Sequence, residues 1–396
     1  MNKNCYCSIS NHILSKDVSS DKLNYQTYKK LLDNFDEIHI YGRTYENKSY
    51  VKKDESHTIY MHYVNVPKNF LLKYIITIVK MYFMILKDNR KYGFSIIDAS
   101  EPTTGGIIGS LLKIVIKKPF LLQVQGELTR ISSKTNGMIF AFGSKYLTLF
   151  CTKFATKIRV VSNVIKKQLI EDGVDEKKIE VLSPRVNLDQ FDYKKYSDTN
   201  EQLKKELNIE TNKTLLVFVG RLVSFKGVKY LIQACTYLNK KDYHLIIVGD
   251  GPLKNELVNL TNKLILQDNI TFVGKVEFTK VPYFMASADF FVLPSLDEGF
   301  GRVIIESMAV KTLVLASRVG GIQDIIVDNE TGFFMESANK EDIANIIKKV
   351  LNMKKEDLAI IIEKSHKIVN DNYEFNTSMN KFIKLYNRTI SYYENS

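Results

Sequence analysis

Short apolar runs, each ending in a glycine or a polar turn, alternate with longer segments of helical periodicity along the chain. Residues 214–219 and 244–248 are two such runs, and a glycine follows each of them directly. Short apolar runs bounded by turns indicate buried strands. Strands that alternate with helices indicate βαβ units and a parallel sheet. We therefore predict an α/β fold built on parallel sheets.

A third apolar run leads into the most informative segment of the chain. Residues 289–293 predict a buried strand, the glycines after them predict a turn, and residues 302–310 predict a helix. Glu298 then lies on a loop that faces the helix N-terminus, and Glu306 lies about two turns inside the helix. Backbone N–H groups at a helix start suit a phosphate, and carboxylates accept hydrogen bonds from sugar hydroxyls. The segment predicts a site for a phosphorylated sugar.

The same spacing also fits an ordinary surface feature. Arg302 and Glu306 are four residues apart, so they could form an exposed helical ion pair, and Glu298 could be a turn residue. The spacing alone leaves both interpretations open.

The two upstream strands place further polar groups at the same edge of the predicted sheet. The strand at 214–219 is followed by Arg221 and Lys226, and the strand at 244–248 is followed by Gly249. Open α/β sheets bind ligands beyond the carboxyl ends of their parallel strands. We therefore expect the two cations to neutralise a diphosphate that also faces the helix N-terminus.

Taken in order, these motifs resemble the nucleotide-binding half of the retaining family 4 glycosyltransferases, which have the GT-B fold. The resemblance covers roughly residues 214–350, and the order and spacing of its motifs make it specific. The motifs that carry it are Gly220-Arg221-Leu222 with Lys226-Gly227, Gly249-Asp250-Gly251-Pro252, Gly274, Pro294-Ser295, Glu298-Gly299-Phe300-Gly301, Glu306-Ser307-Met308-Ala309, Gly320-Gly321 and Thr331-Gly332.

The resemblance implies a role for each site residue. The residues implied to act on the donor diphosphate or on the transferred sugar are Arg221, Lys226 and Glu298. The residues implied to bind the rest of the donor are Gly220, Gly249, Val276, Gly299, Phe300, Gly301 and Glu306. Within this second set, Glu306 holds the ribose hydroxyls and Val276 borders the base.

The GT-B fold consists of two Rossmann-like domains that face each other across a cleft, and the resemblance implies this architecture. A chain of 396 residues, 45% of them apolar, is long enough for two cores of ordinary size. We predict an acceptor-binding domain over residues 1–200 and a nucleotide-sugar-binding domain over residues 201–375, with the break in the polar stretch 192–212. For residues 376–396, the resemblance implies a helix that crosses back to the first domain.

The N-terminal half matches the family less well. Gln125 stands where the family commonly has a histidine that reaches the donor sugar; because its amide can hydrogen-bond but cannot titrate, it is a candidate sugar contact. Gly105 and Gly106 resemble a phosphate loop, although a small-residue helix face that serves packing is the favoured interpretation. Lys311 stands where the family usually has glycine, so the helix that contains Glu306 must end without one.

Other classes of function fit the motifs poorly. The fingerprint Gly-x-Gly-x-x-Gly does not follow the first predicted strand, and no recognisable nucleic-acid-binding module accompanies the net charge of +12. The metal-dependent glycosyltransferases usually hold a divalent ion with Asp-x-Asp, a motif that this sequence lacks. We therefore expect Arg221 and Lys226 to take the place of a metal. We expect no metal site, and no cofactor besides the nucleotide-diphosphate sugar that serves as donor substrate.

The positive charge lies almost wholly in the first half of the chain. Residues 1–200 hold 31 Lys and Arg against 20 Asp and Glu, a balance of +11, and residues 51–167 hold 19 against 6, or +13. Residues 70–87 predict a helix with a polar stripe formed by Lys73, Thr77, Lys80 and Lys87. Two interpretations stay open: a buried helix whose lysines meet water, or a basic amphipathic face that rests on anionic lipid.

We therefore expect a retaining transfer of a sugar from a nucleotide-diphosphate sugar to a glycan or lipid-linked acceptor, in the synthesis of a cell-surface polysaccharide or glycolipid. A soluble sugar acceptor is the alternative, and a nucleic-acid-binding or dinucleotide-binding protein is less favoured. The four cysteines fit no zinc or disulfide pattern, and the first residues lack the apolar core of a signal peptide. Both features favour the cytoplasm, with the inner face of the membrane as a peripheral partner.

Overall fold

A computed structural model describes the protein over residues 3–14, 22–46, 48–67, 70–126, 138–196 and 199–394. The chain divides into two compact units: unit 1 comprises Met1–Leu182 and Asn376–Ser396, and unit 2 comprises Ser183–Phe375. Each unit is built on one mainly parallel sheet with helices between its strands. The α/β class predicted from the alternation of strands and helices is therefore confirmed.

Unit 1 contains an eight-stranded sheet. Its strands are β1 (Cys5–Ile13), β2 (Glu37–Thr44), β3 (Tyr50–Lys53), β4 (Ile59–Asn65), β5 (Phe94–Ala99), β6 (Phe120–Val124), β7 (Lys157–Val160) and β8 (Ile179–Val181). The helices described for this unit are α1 (Lys22–Leu31), α2 (Phe70–Tyr92), α3 (Thr104–Ile116), α4 (Met138–Phe154), α5 (Asn163–Glu171) and, after unit 2, α13 (Phe375–Glu394). The strand order is β3-β4-β2-β1-β5-β6-β7-β8, and only β3 runs antiparallel to its neighbour.

Unit 2 contains a six-stranded parallel sheet. Its strands are β9 (Thr214–Val219), β10 (Tyr243–Val248), β11 (Ile270–Gly274), β12 (Phe290–Leu293), β13 (Leu313–Ser317) and β14 (Phe333–Met335). Its helices are α6 (Thr199–Glu206), α7 (Val228–Ala234), α8 (Lys254–Lys263), α9 (Val281–Ala286), α10 (Arg302–Ala309), α11 (Lys340–Leu351) and α12 (Lys355–Tyr373). The strand order is β11-β10-β9-β12-β13-β14, so the direction of winding reverses between β9 and β12.

The boundary after unit 1 lies between residues 182 and 183, not at 200 as the polar stretch suggested. The intervening segment packs on unit 2: the ring of Phe191 lies 5.8 Å from that of Phe278, and Gln190 donates a hydrogen bond to the Phe278 carbonyl. Tyr193 packs edge-on against His366. The polar composition of residues 192–212 suggested a later domain boundary. The segment after residue 182 nevertheless belongs to unit 2, because a few of its aromatic side chains pack there.

The C-terminal helix α13 belongs to unit 1 through a buried polar network. The Tyr386 hydroxyl donates to Asp98 Oδ2 at 2.9 Å, Tyr6 donates to the same oxygen, and Gln123 Nε2 donates to both carboxylate oxygens at 2.8 Å. Burial raises the pKa of Asp98, and these donors oppose that effect. A buried carboxylate is costly without donors, so the network gives α13 a specific position in this unit.

The glycines at the start of α3 serve packing. Glu101 accepts hydrogen bonds from the backbone N–H of Thr103 at 2.7 Å and of Gly105 at 2.5 Å, so N–H groups that a phosphate would need are already bonded. A Cβ at Gly109 would lie 2.3 Å from the Phe120 ring. The packing interpretation of these glycines is therefore favoured over a phosphate loop.

Candidate functional site

The predicted donor-site loops of unit 2 meet where the sheet reverses its winding. The loop after β9 contains Arg221 and Lys226, and the loop after β12 contains Glu298. Strands β9 and β12 are neighbours, yet their connections run to opposite sides of the sheet. Such a switch point leaves a crevice outside the carboxyl ends of the strands. The topology therefore places these three residues at the position where open α/β sheets bind ligands.

Two glycines allow the loops of the site to touch backbone to backbone. Gly227 has φ of +66°, and a Cβ there would lie 1.9 Å from the Pro294 carbonyl oxygen. Gly320, which follows β13, has φ of +46°, and a Cβ there would lie 1.9 Å from the carbonyl oxygen of Glu298. The next amide, of Gly321, donates to that same oxygen at 3.0 Å. Any larger residue would push the loops apart, so the glycines determine where Glu298 lies.

Lys226 and Glu298 form an ion pair across the two loops. Lys226 Nζ lies 2.5 Å from Glu298 Oε2, and the Ser295 hydroxyl donates to the same oxygen at 3.3 Å. Both charged side chains are largely shielded from solvent. Sequence reasoning had predicted Lys226 as a cation for the donor phosphates but not its pairing with Glu298. The pair holds a positive and a negative group at hydrogen-bonding distance at the switch point.

Arg221 is a cation of the site whose charge no other described residue neutralises. Its side chain is exposed, and within the described part of the chain it makes no hydrogen bond or ion pair. Arginine presents a planar fork of donors that matches phosphate oxygens. The site therefore combines one paired and one unpaired cation, which suits a ligand that carries more than one phosphate charge.

Glu306 is not the exposed surface residue that its spacing allowed. The residue is only 3% exposed, although Arg302 Nε lies 2.8 Å from its Oε1, as expected for residues one turn apart in α10. Burial raises the pKa of Glu306 to about 7, and the charge of Arg302 only partly offsets this effect. A buried carboxyl group with a raised pKa is typical of a functional position.

The loop before α10 presents its backbone rather than its side chains. Gly299 and Phe300 are buried, and the Phe300 ring packs against Tyr373 with ring centres 5.7 Å apart. Gly301, with φ of +92°, lies directly before the helix. Because the Phe300 side chain is packed and the two glycines have none, residues 299–301 have only backbone groups to offer a ligand.

The other predicted donor residues lie at the same edge of the sheet. The ends of β9 and β10 are in backbone contact, because a Cβ at Gly249 would lie 1.9 Å from the Gly220 carbonyl oxygen. Val276 is partly exposed and follows β11. Gln125 belongs to unit 1 instead: it is exposed after β6, and its amide donates to the Ser100 carbonyl at 3.0 Å.

Helix α10 ends without glycine, as the sequence required. Lys311 adopts φ of +59°, and the Thr312 amide donates to the Ser307 carbonyl at 3.1 Å. Lys311 also pairs with Glu363 at 2.5 Å. The lysine that stands in place of the family's glycine therefore changes the helix end without reaching the loop that carries Glu298.

Among the described residues, no three His, Cys, Asp or Glu side chains are grouped so that they could hold a metal ion.

A family model and a curated relative connect this geometry with known proteins. The model of the family described as "Glycosyl transferases group 1" matches residues 199–370. The capsular polysaccharide biosynthesis glycosyltransferase CapM of Staphylococcus aureus is 27% identical over 272 residues, which are 68% of this chain and 70% of the relative.

Solved structures of glycosyltransferases share the fold. Sucrose-phosphate synthase from Thermosynechococcus elongatus superposes with a TM-score of 0.82 at 20% identity, over 98% of this chain and 100% of that one. Anabaena HepE, solved in complex with UDP and glucose, superposes with a TM-score of 0.76 at 17% identity, over 96% and 99% of the two chains. These matches confirm the GT-B fold class.

Proposed function

Through residues 199–370, the chain belongs to the glycosyl transferases group 1, and from this premise we propose that it transfers a sugar from a nucleotide-diphosphate sugar. The observation that carries the proposal is the grouping of Arg221, Lys226 and Glu298 at the switch point of unit 2. The buried carboxyl group of Glu306 would hold the ribose hydroxyls of the donor. The structure of HepE with UDP and glucose supports a donor of this class.

In this proposal, the transfer retains the configuration at the anomeric carbon and needs no metal ion. The bond between the anomeric carbon and the phosphate oxygen breaks through an oxocarbenium-like state, and its electron pair remains on the leaving diphosphate. Arg221 and Lys226 stabilise that developing charge. The acceptor oxygen attacks from the side of the leaving group, and the phosphate takes the acceptor's proton. A bound phosphate competes with Glu298 for Lys226, which frees the carboxylate for hydroxyls of the transferred sugar.

The proposed acceptor is a glycan or a lipid-linked glycan at the cytoplasmic face of a membrane. The balance of +13 over residues 51–167 supports a negatively charged surface as partner of unit 1. The name of the Staphylococcus relative refers to capsular polysaccharide, which supports a role in the synthesis of surface glycans. No helix among the described residues is long and apolar enough to cross a membrane.

A panel of nucleotide sugars tests the donor and the metal together. The purified protein is incubated with each donor, with and without a chelator, and the released nucleoside diphosphate is measured. We expect release with at least one donor, at the same rate in chelator. If no donor binds or reacts, the proposed function is wrong. If only added magnesium restores a reaction that the chelator stops, the metal-independent mechanism is wrong.

A further inference from the structure

Three neighbouring helices of unit 1 expose large apolar side chains to solvent. Helix α3 packs against both α2 and α4, and each helix has apolar residues that are at least two-fifths exposed on its outer surface. These residues form what we define as the apolar face: Ile75, Val79, Phe83, Leu111, Ile114, Val115, Tyr146 and Phe150. Single exposed apolar residues are common, but a group of this size on three neighbouring helices indicates an interaction surface.

The charges on the same three helices are almost all positive. Their basic residues are Lys73, Lys80, Lys87, Arg90, Lys91, Lys113, Lys145 and Lys153. Their one acidic residue is Asp88, which accepts a hydrogen bond from Tyr41 and lies 3.3 Å from buried His62. Lys145 is paired with Asp172 outside these helices. The three helices that carry the apolar face therefore have a net positive charge.

The outer stripe of α2 differs from the one that the sequence predicted. Thr77 is fully buried and its hydroxyl donates to the Lys73 carbonyl, so it does not belong to the water-facing surface. The exposed stripe instead runs through Ile75, Val79 and Phe83 at intervals of four residues. Helix α2 is thus not a buried helix with only lysines at its outer edge. The exposed apolar residues therefore do not fit the first of the two interpretations left open by the sequence, a buried helix whose lysines meet water.

We propose that the apolar face docks on an anionic lipid bilayer, with its apolar side chains inserted at the level of the headgroups and its lysines against the lipid phosphates. The proposal rests on the proposed function, because it locates the surface that brings the enzyme to a membrane-borne acceptor. A second copy fits less well, because a two-fold dimer through this face would bring two cationic surfaces together. A lipid surface satisfies both the apolar and the cationic parts of the face.

Vesicle binding by a matched pair of variants tests the apolar contribution. The test variant is Ile75→Ser/Val79→Ser/Ile114→Ser, whose residues are 62%, 47% and 55% exposed. The control variant is Ile265→Ser/Val327→Ser/Ile360→Ser in unit 2, with the same residue types at 67%, 49% and 56% exposure. Sedimentation with phosphatidylglycerol vesicles, with phosphatidylcholine vesicles and without lipid is measured for full-length protein at low and high salt. Thermal unfolding of each variant monitors the fold.

We expect the unmodified protein and the control variant to sediment with phosphatidylglycerol, and part of each to remain bound at high salt. The test variant should bind about tenfold or more weakly and should be released completely at high salt, where lysine attraction is screened. Equal binding of both variants would overturn the proposal. So would a failure of the unmodified protein to bind, or a dimer in the absence of lipid that only the test variant dissociates. Binding of the nucleoside diphosphate, measured separately by calorimetry, tests the proposed function independently of these outcomes.

Discussion

Lys226 Nζ lies 2.5 Å from Glu298 Oε2 and thereby joins the loop after β9 to the loop after β12. The two residues are 72 positions apart in the chain, and they meet because β9 and β12 are adjacent strands. In this pair each residue neutralises the other. A phosphate that binds to Lys226 would therefore release the Glu298 carboxylate, which we propose to contact the transferred sugar.

Removing either cation of the site should slow the reaction. We expect Arg221→Ala and Lys226→Ala each to lower the rate of nucleoside diphosphate release by at least tenfold, because a charged hydrogen bond contributes roughly 1.5 to 3 kcal/mol. The control is Lys229→Ala, which removes an exposed lysine three residues beyond Lys226 and should retain the rate. Steady-state release assays measure all three variants. An equal loss of rate in Lys229→Ala would contradict a specific role for Arg221 and Lys226.

Glu306→Gln should strengthen the fold while it weakens nucleotide binding. The folded pKa of about 7 exceeds the ordinary value of 4.5, so the folded state holds the proton more tightly than the unfolded state. The stability of the protein therefore falls as the pH rises from 4.5 through 7, by up to roughly 3 kcal/mol in total. Glutamine does not titrate, so the variant should gain most stability above pH 7.

Two measurements distinguish a role of Glu306 in nucleotide binding from a purely structural ion pair with Arg302. Urea unfolding at several pH values gives the change in stability, and calorimetry with a nucleoside diphosphate gives the change in affinity. If Glu306 only stabilises α10 through Arg302, glutamine should lower the stability at high pH and leave the affinity unchanged. Glu298→Gln provides the comparison, since we expect it chiefly to slow sugar transfer.

Gly227→Ala should disturb the donor site far more than an equally strained substitution elsewhere. A methyl group at Gly227 would collide with the Pro294 carbonyl at 1.9 Å, whereas Gly93 has nearly the same backbone angle, φ of +68°, and nothing within 4 Å of a Cβ. Both alanines carry the cost of a left-handed conformation, about 1 to 2 kcal/mol. Only Gly227→Ala should also lower nucleotide affinity and destabilise unit 2. Unfolding curves and calorimetry test this, and equal effects at the two sites would argue against close contact of the loops.

Neutralising three lysines of α2 should weaken vesicle binding without affecting the donor reaction. Lys73→Gln/Lys80→Gln/Lys87→Gln should reduce sedimentation with anionic vesicles at low salt, because each lysine near such a surface contributes about 1 kcal/mol. Hydrolysis of the soluble donor should persist, since the proposed donor residues lie in unit 2. An equal reduction in the control Lys263→Gln/Lys348→Gln/Lys364→Gln, whose lysines are exposed in unit 2, would indicate a general effect of charge.

The sequence by itself determined the α/β class and the loops that carry the proposed donor-site residues. Apolar runs long enough for buried strands, each followed by a turn, predict which loops reach the carboxyl edge of the sheet, and Arg221, Lys226 and Glu298 lie on such loops. The close contact of Gly227 with Pro294 and of Gly320 with Glu298 explains why the motifs contain glycine at these positions.

Only the tertiary structure decided which groups meet and which remain exposed. The Lys226–Glu298 pair, the burial of Glu306 and the boundary at residue 182 depend on contacts between distant segments, which local periodicity does not record. Helix α2 illustrates the same limit: its sequence shows both lysines and apolar residues, but neighbouring elements determine that Thr77 is buried and Phe83 exposed. Residue type sets the chemistry that a position offers, whereas the packing of other segments sets its solvation and its partners.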